Sequence, residues 1–467
     1  MAYGAMDRPA RVEYEPLAGA EDEGDHDRGP EPLETSTDFD GHAHDHSAVV
    51  AFSWIEYAIF AFLGVAMLWA WNMFLAAAPY FAFRLAGHAW AEDNFQSAIL
   101  TVSTLTNLSV LLVLTNVQQS ASYPFRINLA LVINSVVFSL LTCSTAVFLD
   151  AGPGAYLGFL LFMVACSAFA MALIQNGAFA FAASFSRPEY MQALMAGQGV
   201  AGVLPAVAQV VTVLLFPPPT DGQSTPSRRS GAHGGQTSAF LYFLAAVVIS
   251  VTALIALIPL VRRHHRIVES RMADHMAESM NSIEDAERAA RKATSLWTLF
   301  IKIRWLALGV ALTFTVTMFF PVFTTKIRSV QEDRGLLFKP PVFIPLAFFF
   351  WNLGDLGGRM ATMFPFSLQN RPVLLFVLAA LRIGQLPLYL LCNVGGRGAV
   401  VSSDFFYLFV VQLAFGLTNG WLGSSFMMAS GEWVDEGERE ATGGFMGLFL
   451  VVGLTAGSLL SFTLSSI

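Results

Sequence analysis

From about residue 51 onward the chain is a succession of long apolar runs parted by short polar or Gly/Pro-rich stretches. A helix needs roughly 20 mainly apolar residues to cross a bilayer, because lipid offers no partner to a backbone N–H or C=O and the helix satisfies its own. The pattern predicts eleven such spans, at 56–83, 96–117, 126–149, 155–184, 189–215, 238–261, 299–324, 342–366, 372–393, 403–430 and 440–465. The expected fold is an all-α polytopic membrane protein of 11 transmembrane helices in a 6+5 arrangement. A six-helix bundle over 51–261 and a five-helix bundle over 299–467 flank the longest internal connection, 262–298. That connection is rich in Arg, Glu, Met and Ala, a composition that suits a surface helix.

Composition agrees with the pattern. Only 13% of residues are charged, against about 25% in soluble proteins. Residues 1–47 hold thirteen acidic and three basic side chains, so this tail carries −10 of a total of −8 and leaves the rest near +2. Such a segment, 1–50, is expected to be a disordered acidic tail. No signal peptide is expected, since the first apolar run is far longer than an h-region. Short flanking regions rich in Lys and Arg stay preferentially cytoplasmic. A cytoplasmic N-terminus places sixteen basic residues inside, eight outside, and Arg359 and Arg382 within spans. The odd span count then puts the C-terminus outside or in a lumen, at a plasma membrane or a vacuolar or endosomal one.

Several features carry little. Cys143, Cys166 and Cys392 lie in apolar runs and propose no disulfide framework. The sequon at Asn107 falls inside a span, where glycosylation is implausible. His42, His44 and His46 in the acidic tail read as solvated rather than as a metal site, and Glu13–Leu17 and Glu31–Leu33 only faintly resemble sorting signals. No metal or cofactor is expected. Gly197-Gln198-Gly199-Val-Ala-Gly202 matches G-x-G-x-x-G literally, but inside an apolar run rather than between a strand and a helix. Its small residues describe close helix packing, with Gln198 as an internal polar group.

Charged groups at mid-membrane cost about 2.5–3.5 kcal/mol each on insertion scales, so a pair there invites a functional reading. The run Trp351-Asn352-Leu-Gly-Asp355-Leu-Gly-Gly358-Arg359 puts Asn352, Asp355 and Arg359 on one helical stripe. Such a pair either glues helices together or lines a central cavity. In the second case Asp355 accepts from substrate hydroxyls, Arg359 orients the substrate, Asn352 supports the pair, and Gly357 and Gly358 allow close approach. Trp71, near mid-span beside Asn72, offers a flat aromatic face suited to a planar heterocycle, although ordinary packing explains it equally. Gln175 and Asn176 can each donate and accept at once, as a base edge requires, or can simply bond neighbouring helices. Arg382, mid-helix with no acid nearby in sequence, is expected to pair with another helix's carboxylate or carbonyls.

Taken together, these segments resemble the equilibrative nucleoside transporter family over residues 56–465. The Trp351–Arg359 run is similar to that family's F-N-x-x-D-x-x-G-R, with Trp351 in place of Phe. Ala70-Trp71-Asn72 with Tyr80-Phe81 is similar to P-W-N-x-F…Y-F, with Ala70 in place of Pro. Gln175 with Gly197, Gln198, Gly199, Ala201 and Gly202 resembles Q-G…G-Q-G-x-A-G. Pro387 with Leu391-Cys392-Asn393 resembles P-L-L-L-L-C-N, and Thr418-Asn419-Gly420-Trp421-Leu422 resembles S-N-G-Y-L. The resemblance implies a fold like the major facilitator superfamily's and a nucleoside site on Trp71, Leu75, Arg126, Gln175, Asp355 and Arg359. Asn72, Asn352, Gly358, Gln198 and Arg382 are supporting residues. The departures at Ala70 and Trp351 bear on helix kinking and pocket width, hence on substrate range.

The expected mechanism is alternating access around a midplane site, without covalent chemistry. No Walker motif supports direct ATP drive. Locked to Arg359, Asp355 stays ionised and transport is passive; freed from it during the cycle, a buried carboxylate takes up a proton more readily, which makes protons a candidate co-substrate. The partners expected are a nucleoside, or a nucleobase, and the bilayer, with no nucleic acid. Two rivals remain. A sugar or drug carrier of the major facilitator type usually carries G-x-x-x-D-R-x-G-R-R between spans two and three, where this chain has Gln118-Gln119-Ser-Ala-Ser-Tyr123-Pro124-Phe125. A non-transporting receptor or scaffold would use the acidic tail and basic connection for partners. An enzyme is disfavoured, because no His/Asp/Glu cluster with catalytic spacing occurs in the spans.

Overall fold

The computed structural model describes residues 52–116, 122–147, 149, 151–215, 228–279, 295–364 and 368–462. The acidic tail, its histidines and its Glu–Leu pairs lie outside the described residues, as do 280–294 of the long connection. The described residues belong to one compact unit, Val49–Ile467, and are almost entirely helical. In order they form α1 (Trp54–Ala76), α2 (Ala78–Leu85), α3 (Ala89–Asn116), α4 (Tyr123–Ser144), α5 (Pro153–Ser184), α6 (Pro188–Leu215) and α7 (Arg228–Ser279). The second half adds α8 (Leu296–Thr317), α9 (Phe320–Lys326), α10 (Pro340–Ala361), α11 (Pro372–Leu381), α12 (Leu386–Leu390), α13 (Ala414–Ala429) and α14 (Arg439–Phe462).

Proline sets many of these starts. It occupies the first turn of α2, α4, α5, α9, α10, α11 and α12, where its fixed φ suits the helix and its missing N–H would be unpaired anyway. The same preference divides three predicted spans. Pro79 restarts the first after Ala77, Pro321 restarts the seventh, and Arg382–Gln385 is a 3-10 turn before Pro387 in the ninth. The tenth opens as a π-helical stretch, Phe406–Leu413, that runs into α13. The expected end of the sixth span at 261 is overrun: α7 continues to Ser279, because the Arg-, Glu-, Met- and Ala-rich connection consists of good helix formers.

Among the described residues, ten helices or helix pairs are long and apolar enough to cross a membrane. The expected eighth span, α10, has the length, 22 residues, but falls outside that set, because the stripe of Asn352, Asp355 and Arg359 dilutes its apolar character. The count of eleven therefore depends on the one helix whose polar groups need protein partners.

Helices α1, α3, α4, α5, α6 and α7 pack among themselves, as do α8, α10, α11, α13 and α14; α6 meets α10 and α13, and α5 meets α14. The apolar core is arranged unevenly. One cluster draws on both sets, with Phe60, Phe179, Tyr190 and Met195 beside Leu299, Val310, Phe426 and Met446. Two further clusters keep to one set each, one around Phe74, Phe81, Phe138 and Phe243, the other around Phe320, Trp351, Tyr389 and Phe415. The two halves thus share a core towards the Trp54 end of α1 and keep separate cores towards the Leu85 end of α2.

Candidate functional site

Helix α10 can carry charge through an apolar core because α13 and α6 come close enough to bond it. A Cβ on Gly354 or Gly358 of α10 would overlap the carbonyl of Leu413 or Leu417, and one on Gly416 or Gly420 of α13 would overlap the carbonyl of Trp351 or Asp355. Each helix thus presents two glycines four residues apart to the other's backbone, the small-residue packing favoured in membranes. Gly358 behaves as expected; Gly357 faces open space.

At this crossing Asp355 and Arg359 are 4% and 5% exposed. Arg359 Nε donates to Asp355 Oδ2 at 2.7 Å. Asn419 Nδ2 of α13 donates to Asp355 Oδ1 at 2.6 Å, so both carboxylate oxygens are held. The chain of bonds continues: Thr317 Oγ1 of α8 donates to Asn419 Oδ1 at 2.5 Å, and Arg382 Nη1 donates to Thr317 Oγ1 at 2.9 Å. Arg382 also bonds the carbonyls of Thr313 and Phe415 and the hydroxyl of Thr418, with its guanidinium 4.1 Å over the Phe415 ring. Arg382 therefore meets carbonyls and hydroxyls, one of the two arrangements expected of it, and reaches Asp355 through two neutral residues.

On its other side Arg359 crosses to α6. Its Nη1 donates to Met195 O at 2.8 Å and to Gln198 Oε1 at 3.1 Å, and its own carbonyl accepts from Gln192 Nε2 at 3.2 Å. The G-x-G-x-x-G stretch makes this approach possible. A Cβ on Gly197 would overlap Ala61 O of α1, one on Gly199 would crowd Leu356 and Arg359, and one on Gly202 would overlap Asn352 Oδ1. The motif packs helices on two sides, as its place in an apolar run predicts.

The remaining candidates fall into separate places. Arg126 Nη1 of α4 donates to Asn176 Oδ1 of α5. Beside it, Gln175 is 3% exposed and its Oε1 has no partner, nor has Asn176 Nδ2, so an acceptor and a donor lie buried and unused on adjacent residues. Trp71 lines a narrow crevice with Phe74, Ser103, Ser167 and Met171. Asn72 Nδ2 bonds Ala201 O of α6 at 2.7 Å, and Leu75 is 52% exposed. Asn352 does not support the ion pair: its Nδ2 returns to Phe348 O of its own helix at 2.8 Å. Asn419 takes that part, and its sequence signal was an amide beside Thr418 in an otherwise apolar run. Trp351, one turn before Asp355 on the same stripe, stacks on Phe320 at 3.9 Å with its Nε1 unpartnered. Among the described residues no group of three or more His, Cys, Asp or Glu could hold a metal ion.

The chain is similar to known proteins in sequence and in fold. The family model described as "Nucleoside transporter" matches residues 161–466. The Nucleoside transporter FUN26 of Saccharomyces cerevisiae is 28% identical over 87% of this chain and 83% of its own. Equilibrative nucleoside transporter 2 of Homo sapiens is 27% identical over 86% and 95%. Among solved structures, the major facilitator transporter FucP in the outward conformation superposes with a TM-score of 0.54 at 14% identity, over 88% of this chain and 92% of that one. The proton:xylose symporter XylE gives 0.57 at 10%, over 88% and 87%. At such identities these two likenesses establish the fold alone.

Proposed function

The chain belongs to the nucleoside transporter family, and from that premise we propose that it is a multi-pass membrane carrier that moves nucleosides across a bilayer by alternating access, with no covalent step. The observation that carries the site within this reading is the Asp355–Arg359 pair, buried at a three-helix crossing and bonded to α6 in the other half. A membrane-buried ion pair that bridges the two moving halves suits a group that reports substrate occupancy to the gate. The Asp355 carboxylate takes ribose hydroxyls and Arg359 orients the nucleoside. The unused Gln175 Oε1 and Asn176 Nδ2 supply an acceptor and a donor for a base edge, and Trp71 a flat apolar face.

The shared core at the Trp54 end and the separate cores at the other fit a carrier closed on one side. With the N-terminus cytoplasmic and α10 counted as a span, the closed side is the cytoplasmic one and the C-terminus is extracellular or lumenal. The mode is either facilitated diffusion or transport coupled to protons as co-substrate, at a plasma membrane or a vacuolar or endosomal one.

Uptake of radiolabelled adenosine and uridine into proteoliposomes tests this, using the wild type, Asp355→Ala and Arg359→Ala, with and without an imposed pH gradient. Saturable uptake lost in both variants is the expected result. An uptake rate that follows the gradient assigns proton coupling, and one indifferent to it assigns passive transport. Absence of uptake by folded wild-type protein would overturn the nucleoside reading.

A further inference from the structure

A groove of about 830 Å³ runs between the start of α8 and the start of α11, with Trp433 also in its lining. None of its lining residues belongs to the Asp355 network described above. Its charged lining is basic: Lys302, Arg304 and Arg371. Lys302 is already neutralised, its Nζ 3.1 Å from Asp435 Oδ2 and 2.6 Å from Glu438 Oε2. Arg304 and Arg371 are exposed, and neither forms an ion pair with a carboxylate among the described residues; Arg304 has only the Trp305 ring, 5.8 Å away. Two cationic groups without a countercharge among the described residues therefore share one groove.

Apart from Asn370, the rest of the lining is mainly apolar, with Ile301, Leu306, Val373, Leu374 and Val377. These residues belong to the N-terminal halves of two helical segments apolar enough to cross a membrane, so the groove lies where a bilayer's headgroups give way to its acyl chains. Trp297 and Trp433 mark that depth, 68% and 43% exposed, as tryptophans do at membrane–water interfaces. The backbone also departs from helical geometry at Ile303, with φ −111° and ψ 16°, which bends α8 within the groove wall.

We propose that this groove seats an anionic phospholipid, its phosphate held by Arg304 and Arg371 and an acyl chain laid along Val373 and Val377. The leaflet is the one at the Leu296 end of α8, cytoplasmic in the orientation proposed above. A charge pair alone would suit any phosphate. The apolar wall continuing from it into the bilayer suits a lipid, because a soluble anion has nothing to place there. The seated lipid ties α8 to α11, the helices that supply Thr317 and lead into Arg382.

Native mass spectrometry of the detergent-purified full chain tests the proposal, with phosphatidylserine and phosphatidylcholine competing and glycerol 3-phosphate as a soluble control. The wild type should retain phosphatidylserine over phosphatidylcholine by about tenfold and should not retain glycerol 3-phosphate. Arg304→Gln with Arg371→Gln should abolish the preference, while Arg328→Gln with Arg397→Gln, which removes equal charge elsewhere, should keep it. Val377→Trp, which fills the apolar wall and leaves both arginines, should lower retention of phosphatidylserine. Equal retention of the two lipids by the wild type, or a preference that survives Arg304→Gln with Arg371→Gln, would overturn the proposal. Retention of glycerol 3-phosphate equal to that of phosphatidylserine would do so too, by making the groove a site for soluble phosphates.

Discussion

Removing Arg359 alone should cost more than neutralising Asp355 and Arg359 together. Arg359→Ala leaves a buried carboxylate with Asn419 as its one remaining hydrogen-bond donor among the described residues, a loss of about 3–5 kcal/mol for a broken buried pair. Asp355→Asn combined with Arg359→Gln leaves two neutral amides in the same space and should unfold later than Arg359→Ala in a thermal melt in detergent. A double variant no more stable than the single one would mean that the pair contributes little through its charge. Asn419→Leu keeps the volume and removes the bonds to Asp355 and Thr317. Hydrogen bonds to charged groups are worth about 1.5–3 kcal/mol, so initial uptake rates should fall by roughly tenfold or more; unchanged rates would make Asn419 a packing residue. At this scale the stripe of Asn352, Asp355 and Arg359 was legible, since charge stands out in an apolar run. Asn419 and Thr317 were not legible as partners of Asp355. Their importance comes from a meeting of three helices far apart in sequence, and no periodicity records such a meeting. Asn352 misled for the same reason: it shares the stripe but turns back to Phe348.

Between elements, the glycines of α10 and α13 decide whether the network forms at all. A methyl group at Gly420 would run into the Asp355 carbonyl, where backbone cannot yield, while Gly357 of the same α10 faces open space. Gly420→Ala should therefore push the helices apart, break the Asn419–Asp355 bond and abolish uptake with a marked fall in melting temperature. Gly357→Ala should fold at least as well as the wild type, because alanine in an open helix position gains up to about 1 kcal/mol over glycine. If the two substitutions behaved alike, the close crossing would not govern assembly. Most helices were legible from apolar runs, with ends within a few residues. The breaks at Ala77 and at Met318–Phe319, the 3-10 turn at Arg382 and the π-helical start of the tenth span escaped, since each is a local change of hydrogen bonding inside an unchanged apolar composition. The long α7 was partly legible: helix formers fill the connection after residue 261, yet composition gives no reason to join it to the span before.

Across the whole molecule, alternating access demands that the contact between α6 and α10 open and close. Arg359 bonds Met195 and Gln198 across it, and a Cβ placed on Gly199 would lie 3.2 Å from the Leu356 Cα, close enough for cysteines at both positions to form a disulfide. The native Cys143, Cys166 and Cys392 are free and can be replaced by serine first. In that background, Gly199→Cys with Leu356→Cys should transport when reduced, more slowly than wild type because a side chain at 199 crowds Arg359, stop when oxidised, and recover on adding reductant, while each single variant ignores the oxidant. The fold permits this logic because the halves share one core at the Trp54 end and keep two at the other, and a tether between α6 and α10 joins the halves beside the Asp355–Arg359 pair. The sequence could supply the two halves but not the state in which they rest, since both ends of the transport path are built from the same kind of apolar run. Uptake that persisted through the oxidised cross-link would show that the α6–α10 contact stays closed throughout the cycle, and the moving gate would then have to lie elsewhere, with the α5–α14 contact the next place to tether.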